Sequence, residues 1–259
     1  MPVSELTLPG ATPPLHERKF VIQYHETDQY GFVRHVALLN FMQTAGVEHA
    51  ALMNVSVAAL RKNGCTWVLS RVHLTMERYL RGGDVITIRT WPASRIPFFT
   101  VRDFELCTGD GSVIGRATTS WAVLHMKSRR PVRLDEVLPE FTLIPRRAID
   151  DDFSTLPTLE VPEHELVLPV LRGDLDSNRH VNNTVYGAWA LETIPDEVDR
   201  DFRLASLEIG FRAEALYGDV IRSRIMRSPE LPCCFIHRIE NAADGRELAR
   251  LRTRWVLKS

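Results

Sequence analysis

The chain has 259 residues, 44% of them hydrophobic and 25% charged, and a net charge of −1. That is the composition of a globular protein with a sizeable core. Balanced charge offers nothing to nucleic acid or an anionic membrane surface, and no run approaches the roughly 20 apolar residues of a membrane-spanning helix. The opening, MPVSELTLPGATPPLHERK, lacks the basic region and apolar core of a signal peptide, so residues 1–18 are expected to form a loose Pro-rich arm. Cys65, Cys107, Cys233 and Cys234 have no CxxC spacing, and the adjacent pair suits neither a disulfide nor a zinc site. Inert thiols of a reducing cytoplasm, with no metal or cofactor, are the expectation.

Residues 19–25 (KFVIQYH) alternate in polarity and predict a strand. A turn-rich connection leads to residues 36–54 (VALLNFMQTAGVEHAALMN), the longest helical pattern, apolar on most sides and therefore a central helix that the sheet wraps. Residues 57–64 predict a short helix closed by Gly64. Strand patterns follow at 66–76, 84–91, 98–108 and 112–125, separated by Gly-Gly, Pro and Gly-Asp-Gly turns. Residues 128–163 read as a linker whose charges, among them Arg146, Arg147, Asp150, Asp151 and Asp152, are expected to be solvated.

From His164 the first half recurs in shorter form. Arg179-His180-Val181 opens a helix as Arg34-His35-Val36 does. Tyr217-Gly-Asp-Val-Ile221 echoes Gly82-Gly-Asp-Val-Ile86, and Arg254-Trp255-Val256-Leu257 echoes residues 120–124 (SWAVL). Strand patterns at 203–213, 233–240 and 247–257 complete a second sheet. Ordered echoes of this kind predict a tandem duplication: two antiparallel sheets, each around a central helix, over 19–127 and 164–259.

Between the halves in character stands DLDSNRHVNN, residues 174–183, at the start of the apolar helical run VYGAWALETI. Asp176, Asn178 and His180 alternate with Ser177 and Arg179, and would converge on one side of an extended segment. Backbone N–H groups at a helix start polarise an oxygen while side chains handle protons. The same residue types also cap helices, so the residues alone leave a site and an elaborate cap both open.

Two helix-wrapped sheets in one chain resemble the tandem hotdog fold, an α+β architecture. The segment DLDSNRHVNNTVYGAWALETIP resembles the catalytic segment of the acyl-acyl-carrier-protein thioesterases, with Asp176, Asn178, His180, Val181, Asn182, Asn183, Tyr186 and Trp189 at its motif positions. LEIGFRAEALYGD is similar to the family's second segment through Phe211, Arg212 and Glu214; the Cys that often follows in plant members is Ala215 here. The resemblance covers nearly the whole chain beyond the arm. It implies hydrolysis of fatty acyl thioesters of acyl carrier protein, releasing fatty acid and holo carrier. The acyl chain would lie in the first half and the chemistry in the second, with no cofactor, no nucleic acid and no membrane insertion, and with a homodimer left open.

On this basis Asp176, Asn178, His180 and Glu214 are the expected catalytic residues: Asp176 or Glu214 could be the base for a water, with Glu214 preferred and Asp176 assisting, Asn178 to orient the water or bind the carbonyl, His180 to carry the proton. A covalent anhydride on a carboxylate stays open. Asn182, Asn183, Phe41, Met42 and Trp67 are expected to contact substrate. Lys127, Arg129, Arg130 and Arg133 are the densest basic cluster for an acidic carrier, with Arg61, Lys62, Arg78 and Arg81 a second. One point opposes the assignment: if Leu207, Ile209, Phe211 and Ala213 face the helix, simple alternation turns Glu214 away unless a bulge or strand end intervenes. His35 is read as the structural counterpart of His180, with Asp28 near the corresponding turn. An acyl-CoA thioesterase, a hotdog hydratase or dehydratase, and a non-catalytic acyl-thioester sensor remain the alternatives.

Overall fold

The structure, a computed structural model, describes residues 14–258. The first half carries β1 (His16–Val21), α1 (His35–Leu52), α2 (Val57–Lys62), β2 (Cys65–Met76), β3 (Val85–Arg95), β4 (Phe99–Thr108), β5 (Val113–His125) and α3 (Leu134–Val137). The second carries β6 (His164–Pro169), α4 (Asn183–Leu191), α5 (Asp196–Asp201), β7 (Phe202–Phe211), β8 (Val220–Arg227), β9 (Cys234–Asn241) and β10 (Glu247–Leu257). β1 begins at His16, inside the stretch expected as an arm; the rest of that arm, residues 1–13, lies outside the described residues.

The strand order is β1-β3-β4-β5-β2-β7-β10-β9-β8-β6, antiparallel throughout. Read from each outer edge inward, the first half runs 1-3-4-5-2 and the second 6-8-9-10-7, which is the same order displaced by five strands. The duplication is therefore topological as well as sequential. The halves do not form two separate sheets: Arg71–Thr75 of β2 pairs with Ser206–Gly210 of β7, giving one continuous ten-stranded sheet. This pairing removes one edge from each half. At the seam Leu74 opposes Leu207, and both are almost fully buried.

Alternation sorts the two faces of the sheet. Val72, Leu74, Ile86, Ile88, Phe104, Leu106, Leu207 and Ile209 point to the side of α1 and α4 and form the main core with Leu38, Ala45, Tyr186 and Trp189. The opposite face carries Trp91, Asp103, Glu105 and His73, and the linker lies over it. The Trp91 indole donates to the Arg146 carbonyl at 2.8 Å, and the Arg146 guanidinium stacks 4.3 Å from the ring. Asp103 is fully buried; it accepts from the Ala148 N–H at 2.6 Å, from Arg147 at 3.2 Å and from Thr118. Burial pushes its carboxyl above the usual range, although these donors pull it back. Asp151 accepts from His73 at 2.7 Å. The expectation of a solvated linker holds for Asp150 and Asp152, which are exposed, but not for the segment as a whole: an outward Trp and a buried Asp on the sheet need partners, and Arg146, Arg147 and Ala148 supply them. All four cysteines are free thiols, and only Cys233 is exposed.

Gly115 of β5 pairs with Met76 of β2, and a Cβ there would stand 2.9 Å from the backbone oxygen of Thr75. Gly115→Ala is expected to lower stability by about 1–3 kcal/mol. A denaturant titration checks it, and an unchanged midpoint would contradict this packing.

Candidate active site

The stretch 176–180 is a tight turn rather than an extended segment. The Asp176 N–H donates to the His180 carbonyl at 2.8 Å, and the Arg179 N–H to the Asp176 carbonyl at 3.0 Å. One Asp176 oxygen accepts from the backbone N–H groups of Asn178 (2.7 Å) and His180 (3.3 Å), and the other from the Asn178 side-chain amide (3.0 Å). The three predicted residues do come together, through an Asx-type turn and not through strand alternation. Asn182 then caps α4, accepting from the Thr184 N–H at 3.1 Å, and the helix begins at Asn183. The carbonyl oxygen of Asn182 is thereby committed to the cap.

Glu214 reaches the site because β7 ends at Phe211. The N–H groups of Arg212 and Ala213 both donate to the Leu248 carbonyl, at 2.9 and 3.1 Å. Two residues thus face one on β10, a bulge that resets the alternation. Arg212 goes to Glu247 at 3.3 Å, while Glu214 turns to the helix side. The segment is then fixed twice. The Val181 N–H donates to the Ala215 carbonyl at 3.0 Å, and the Tyr186 hydroxyl of α4 accepts from the Ala215 N–H (2.9 Å) and donates to the Ala213 carbonyl (3.4 Å). Tyr186 therefore holds both chain neighbours of Glu214. Burial pushes its phenol up to about 12, so it stays a neutral hydrogen-bonding group.

In the result, Glu214 Oε1 lies 3.6 Å from His180 Nδ1, and Glu214 Oε2 lies 2.7 Å from Arg129. The side chains of His180 and Glu214 are 35% and 39% exposed, open enough for water. Ala215, where a thiol often stands in plant members, is fully buried. Burial pushes the Cys234 thiol up, the opposite of an activated nucleophile.

The first half sends two cations into this corner that residue pattern alone did not assign to it. Arg61, in the last turn of α2, donates to the side-chain oxygen of Asn178. Arg129, expected as a carrier contact, instead pairs with Glu214 from a left-handed backbone at φ 57°. The turn bearing Arg129 is tied to the end of α2 by the Met126 N–H on the Gly64 carbonyl at 2.8 Å. Arg61 and Lys62 thus join Lys127, Arg129 and Arg130 in one basic surface. Arg81 is elsewhere, stacked 4.1 Å from the Phe32 ring, and Arg133 is bound on both sides of its fork by Asp135 (2.9 and 3.2 Å). Among the described residues Lys62, Lys127 and Arg130 have no carboxylate partner.

The predicted pocket residues divide. Phe41 and Met42 pack in the main core, with Phe41 stacked 4.6 Å from Phe20. Trp67 sits in a second cluster beside Met53, Val55 and Leu60, its indole donating to the Val55 carbonyl at 2.7 Å. They do not line one cavity, because β2 crosses from one cluster to the other.

The same corner exists in the first half, three residues out of the register suggested by His35. Asp28 accepts from the N–H groups of Tyr30 and Phe32, both at 2.9 Å, and its own N–H donates to the Phe32 carbonyl at 2.7 Å. The Val33 N–H donates to the Leu80 carbonyl as Val181 does to Ala215. Asp28 therefore matches Asp176, Tyr30 matches Asn178, Phe32 matches His180 and Tyr79 matches Glu214. His35 corresponds to Asn183. The signal was present in TDQYGFV against LDSNRHV, hidden by the stronger Arg-His-Val echo. Gly31, at φ 81°, takes the left-handed place that Arg179 occupies at φ 64° in the second half. A non-Gly residue there costs about 1–2 kcal/mol, a strain typical of functional corners.

A tandem hotdog with one polar corner, a helix start and a carboxylate beside an imidazole fits an enzyme of the hotdog class that acts on thioesters. Family models specify which kind: residues 13–142 match the acyl-ACP thioesterase N-terminal domain and residues 160–257 the acyl-ACP thioesterase C-terminal domain, so the chain belongs to the acyl-ACP thioesterase family. It is 29% identical to oleoyl-acyl carrier protein thioesterase 1, chloroplastic, of Arabidopsis thaliana, over 94% of this chain and 76% of that protein. It is 28% identical to dodecanoyl-[acyl-carrier-protein] hydrolase, chloroplastic, of Umbellularia californica, over 92% of this chain and 66% of that protein. The fold is shared with the solved 12:0-ACP thioesterase from Umbellularia californica (TM-score 0.82, 24% identity, 95% of this chain and 98% of that one). It is also shared with an acyl-ACP thioesterase from Bacteroides thetaiotaomicron (TM-score 0.81, 22% identity, 94% and 98%).

Two outcomes follow from the corner. Asn182→Ala is expected to cost about 1 kcal/mol of stability, through loss of the cap, and to leave KM unchanged. Thermal unfolding and steady-state kinetics check this; a raised KM at unchanged stability would restore Asn182 as a substrate contact. The second concerns His35, whose Nε2 is buried without a partner against α4, and whose pKa burial and Arg34 push down to about 4 from 6.5. The unfolded chain therefore takes up this proton first, so stability present above about pH 6.5 is lost as pH falls toward 4. Between pH 7 and 5 the wild type is expected to lose about 2 kcal/mol more than His35→Gln. Equal losses in urea titrations at the two pH values would contradict it.

Proposed function

We propose that this chain hydrolyses the thioester of fatty acyl-acyl carrier protein, releasing the free fatty acid and the holo carrier, at the corner formed by Asn178, His180 and Glu214. The observation that carries the assignment is the bulge at Arg212 and Ala213, which brings Glu214 within 3.6 Å of His180 at the start of α4. Water enters the open corner, Glu214 takes one of its protons, and the oxygen attacks the thioester carbonyl. The developing oxyanion faces the Asn183 N–H at the start of α4, since those of Thr184 and Val185 are held by Asn182, and the remaining N–H of the Asn178 amide. As the C–S bond breaks, His180 delivers a proton to the departing thiolate and regains one from Glu214, which restores both groups. The products are a carboxylic acid and a thiol, and no cofactor is consumed.

Asp176 is assigned to the turn and not to proton transfer. Asp28 makes the same hydrogen bonds in a corner where Phe32 and Tyr79 leave no chemistry. The acyl chain is assigned to the first half, where α1 has 18 residues against 9 in α4 and a main-core wall that includes Phe41 and Met42. The acidic carrier is assigned to the surface of Arg61, Lys62, Lys127 and Arg130, beside which Leu216 and Tyr217 are exposed as apolar contacts. Arg133 drops from this surface because Asp135 neutralises it. The domain division is assigned accordingly, with a first half from β1 at His16 through α3, a second half from β6 at His164, and a linker between them in place of the expected 128–163. Among the described residues no helix is long and apolar enough to cross a membrane. A cytoplasmic location rests on the free thiols; the named relatives are chloroplastic.

Thiol release from acyl carrier protein thioesters, acyl-CoA and a 2-enoyl thioester tests this. The carrier thioester is expected to turn over fastest, and Glu214→Ala and His180→Ala to lose about 10²–10⁴-fold in kcat. Near-wild-type turnover in both variants would sink the assignment, and hydration of the enoyl substrate would favour a hydratase.

A further inference from the structure

The catalytic corner belongs to the second half, yet two of its polar groups are held from the first. Glu214 is anchored at one oxygen only, by Arg129 at 2.7 Å; its other oxygen stands 3.6 Å from His180, beyond a hydrogen bond. A glutamate 39% exposed would otherwise sample many rotamers. Arg129 fixes which oxygen faces the imidazole. Its own placement is not casual. The residue adopts a left-handed backbone at φ 57°, and the turn is closed by the Arg129 N–H on the His125 carbonyl (2.9 Å) and the His125 N–H on the Arg130 carbonyl (3.0 Å). A non-Gly residue there carries backbone strain. That conformation directs the guanidinium across the seam between the halves.

Asn178 is treated in the same way. Its side-chain oxygen accepts from Arg61 and its nitrogen donates to Asp176 at 3.0 Å. A terminal amide is nearly symmetric in shape, so its orientation is set by what stands at each end. A cation at one end and a carboxylate at the other leave one orientation, with the remaining N–H free for the substrate.

We propose that Arg129 and Arg61 are positioning residues, through which the first half sets the orientation of Glu214 and Asn178 in the second. The chemistry is therefore completed only by the junction of the two halves. This rests on the hydrolase reading above and extends it to groups outside the corner itself.

The test uses the full chain and a short acyl-N-acetylcysteamine thioester, which carries no protein and so removes docking from the rate. Arg129→Ala is expected to lower kcat about tenfold with little change in KM, and Arg129→Lys to recover part of the loss. Arg61→Ala and Arg61→Lys should follow the same pattern. In a Glu214→Ala background, Arg129→Ala is expected to have no further effect, because the residue it orients is gone. An equal loss in both backgrounds would show that Arg129 acts elsewhere and overturn the proposal. So would an unchanged kcat, or a raised one, which would make the ion pair a restraint on Glu214. Wild-type turnover in Glu214→Ala itself would instead remove the hydrolase site on which the proposal depends. Thermal unfolding of each variant separates these outcomes from loss of fold.

Discussion

Two amides sharing one carbonyl decide where the chemistry of this protein can occur. The N–H groups of Arg212 and Ala213 both reach Leu248, and from that bulge onward the side chains of the β7 extension change faces. Without it Glu214 would point with Arg212 to the outer face of the sheet, and the polar corner at 176–180 would have no external carboxylate. The bulge is held by groups with no alternative partner: the Tyr186 hydroxyl bridges residues 213 and 215 from inside the core, where an unmet polar group costs about 1–3 kcal/mol. The backbone position of residue 214 is thus a consequence of core hydrogen bonding.

The duplication gives the corner an internal control. Both halves build the same turn from an Asp that collects two backbone N–H groups, and both lay the residue after the turn against the extension of the seam strand. In one copy the remaining positions are Tyr30, Phe32 and Tyr79; in the other they are Asn178, His180 and Glu214. Scaffold and chemistry are thereby separated within one chain. The Asp makes the same backbone hydrogen bonds in both copies, and the three exchanged positions are the ones the proposed reaction uses. The continuous sheet across β2 and β7 then places the cations of the first half within reach of the active copy.

Much of this was legible in the residues. The Gly-Asp-Val-Ile and Trp echoes revealed the repeat because they mark strand starts and buried strand positions that each half must rebuild. The segment from Asp176 to Trp189 pointed to the family through its likeness to the family's catalytic segment; its polar residues by themselves suited a cap equally well. Other features depend on contacts distant in sequence. The Arg-His-Val echo misaligned the two corners by three residues, since local identity outweighed the less obvious shared turn. Arg61 and Arg129 looked like ordinary surface cations; only the fold brings residues 61 and 178, and 129 and 214, together. The linker looked solvated because nothing in its own composition shows that Asp103 and Trp91 need it.

The central claim is that Glu214 activates water and does not itself attack the acyl carbon. A single turnover in H₂¹⁸O, with enzyme in excess over acyl-carrier thioester, reads this directly by mass spectrometry of the fatty acid and of the peptide containing Glu214. Water attack predicts one ¹⁸O atom in the released fatty acid, none in the peptide, and no acylated Glu214 peptide in samples quenched before the turnover is complete. An unlabelled fatty acid together with ¹⁸O in Glu214 would show a covalent anhydride and contradict the account.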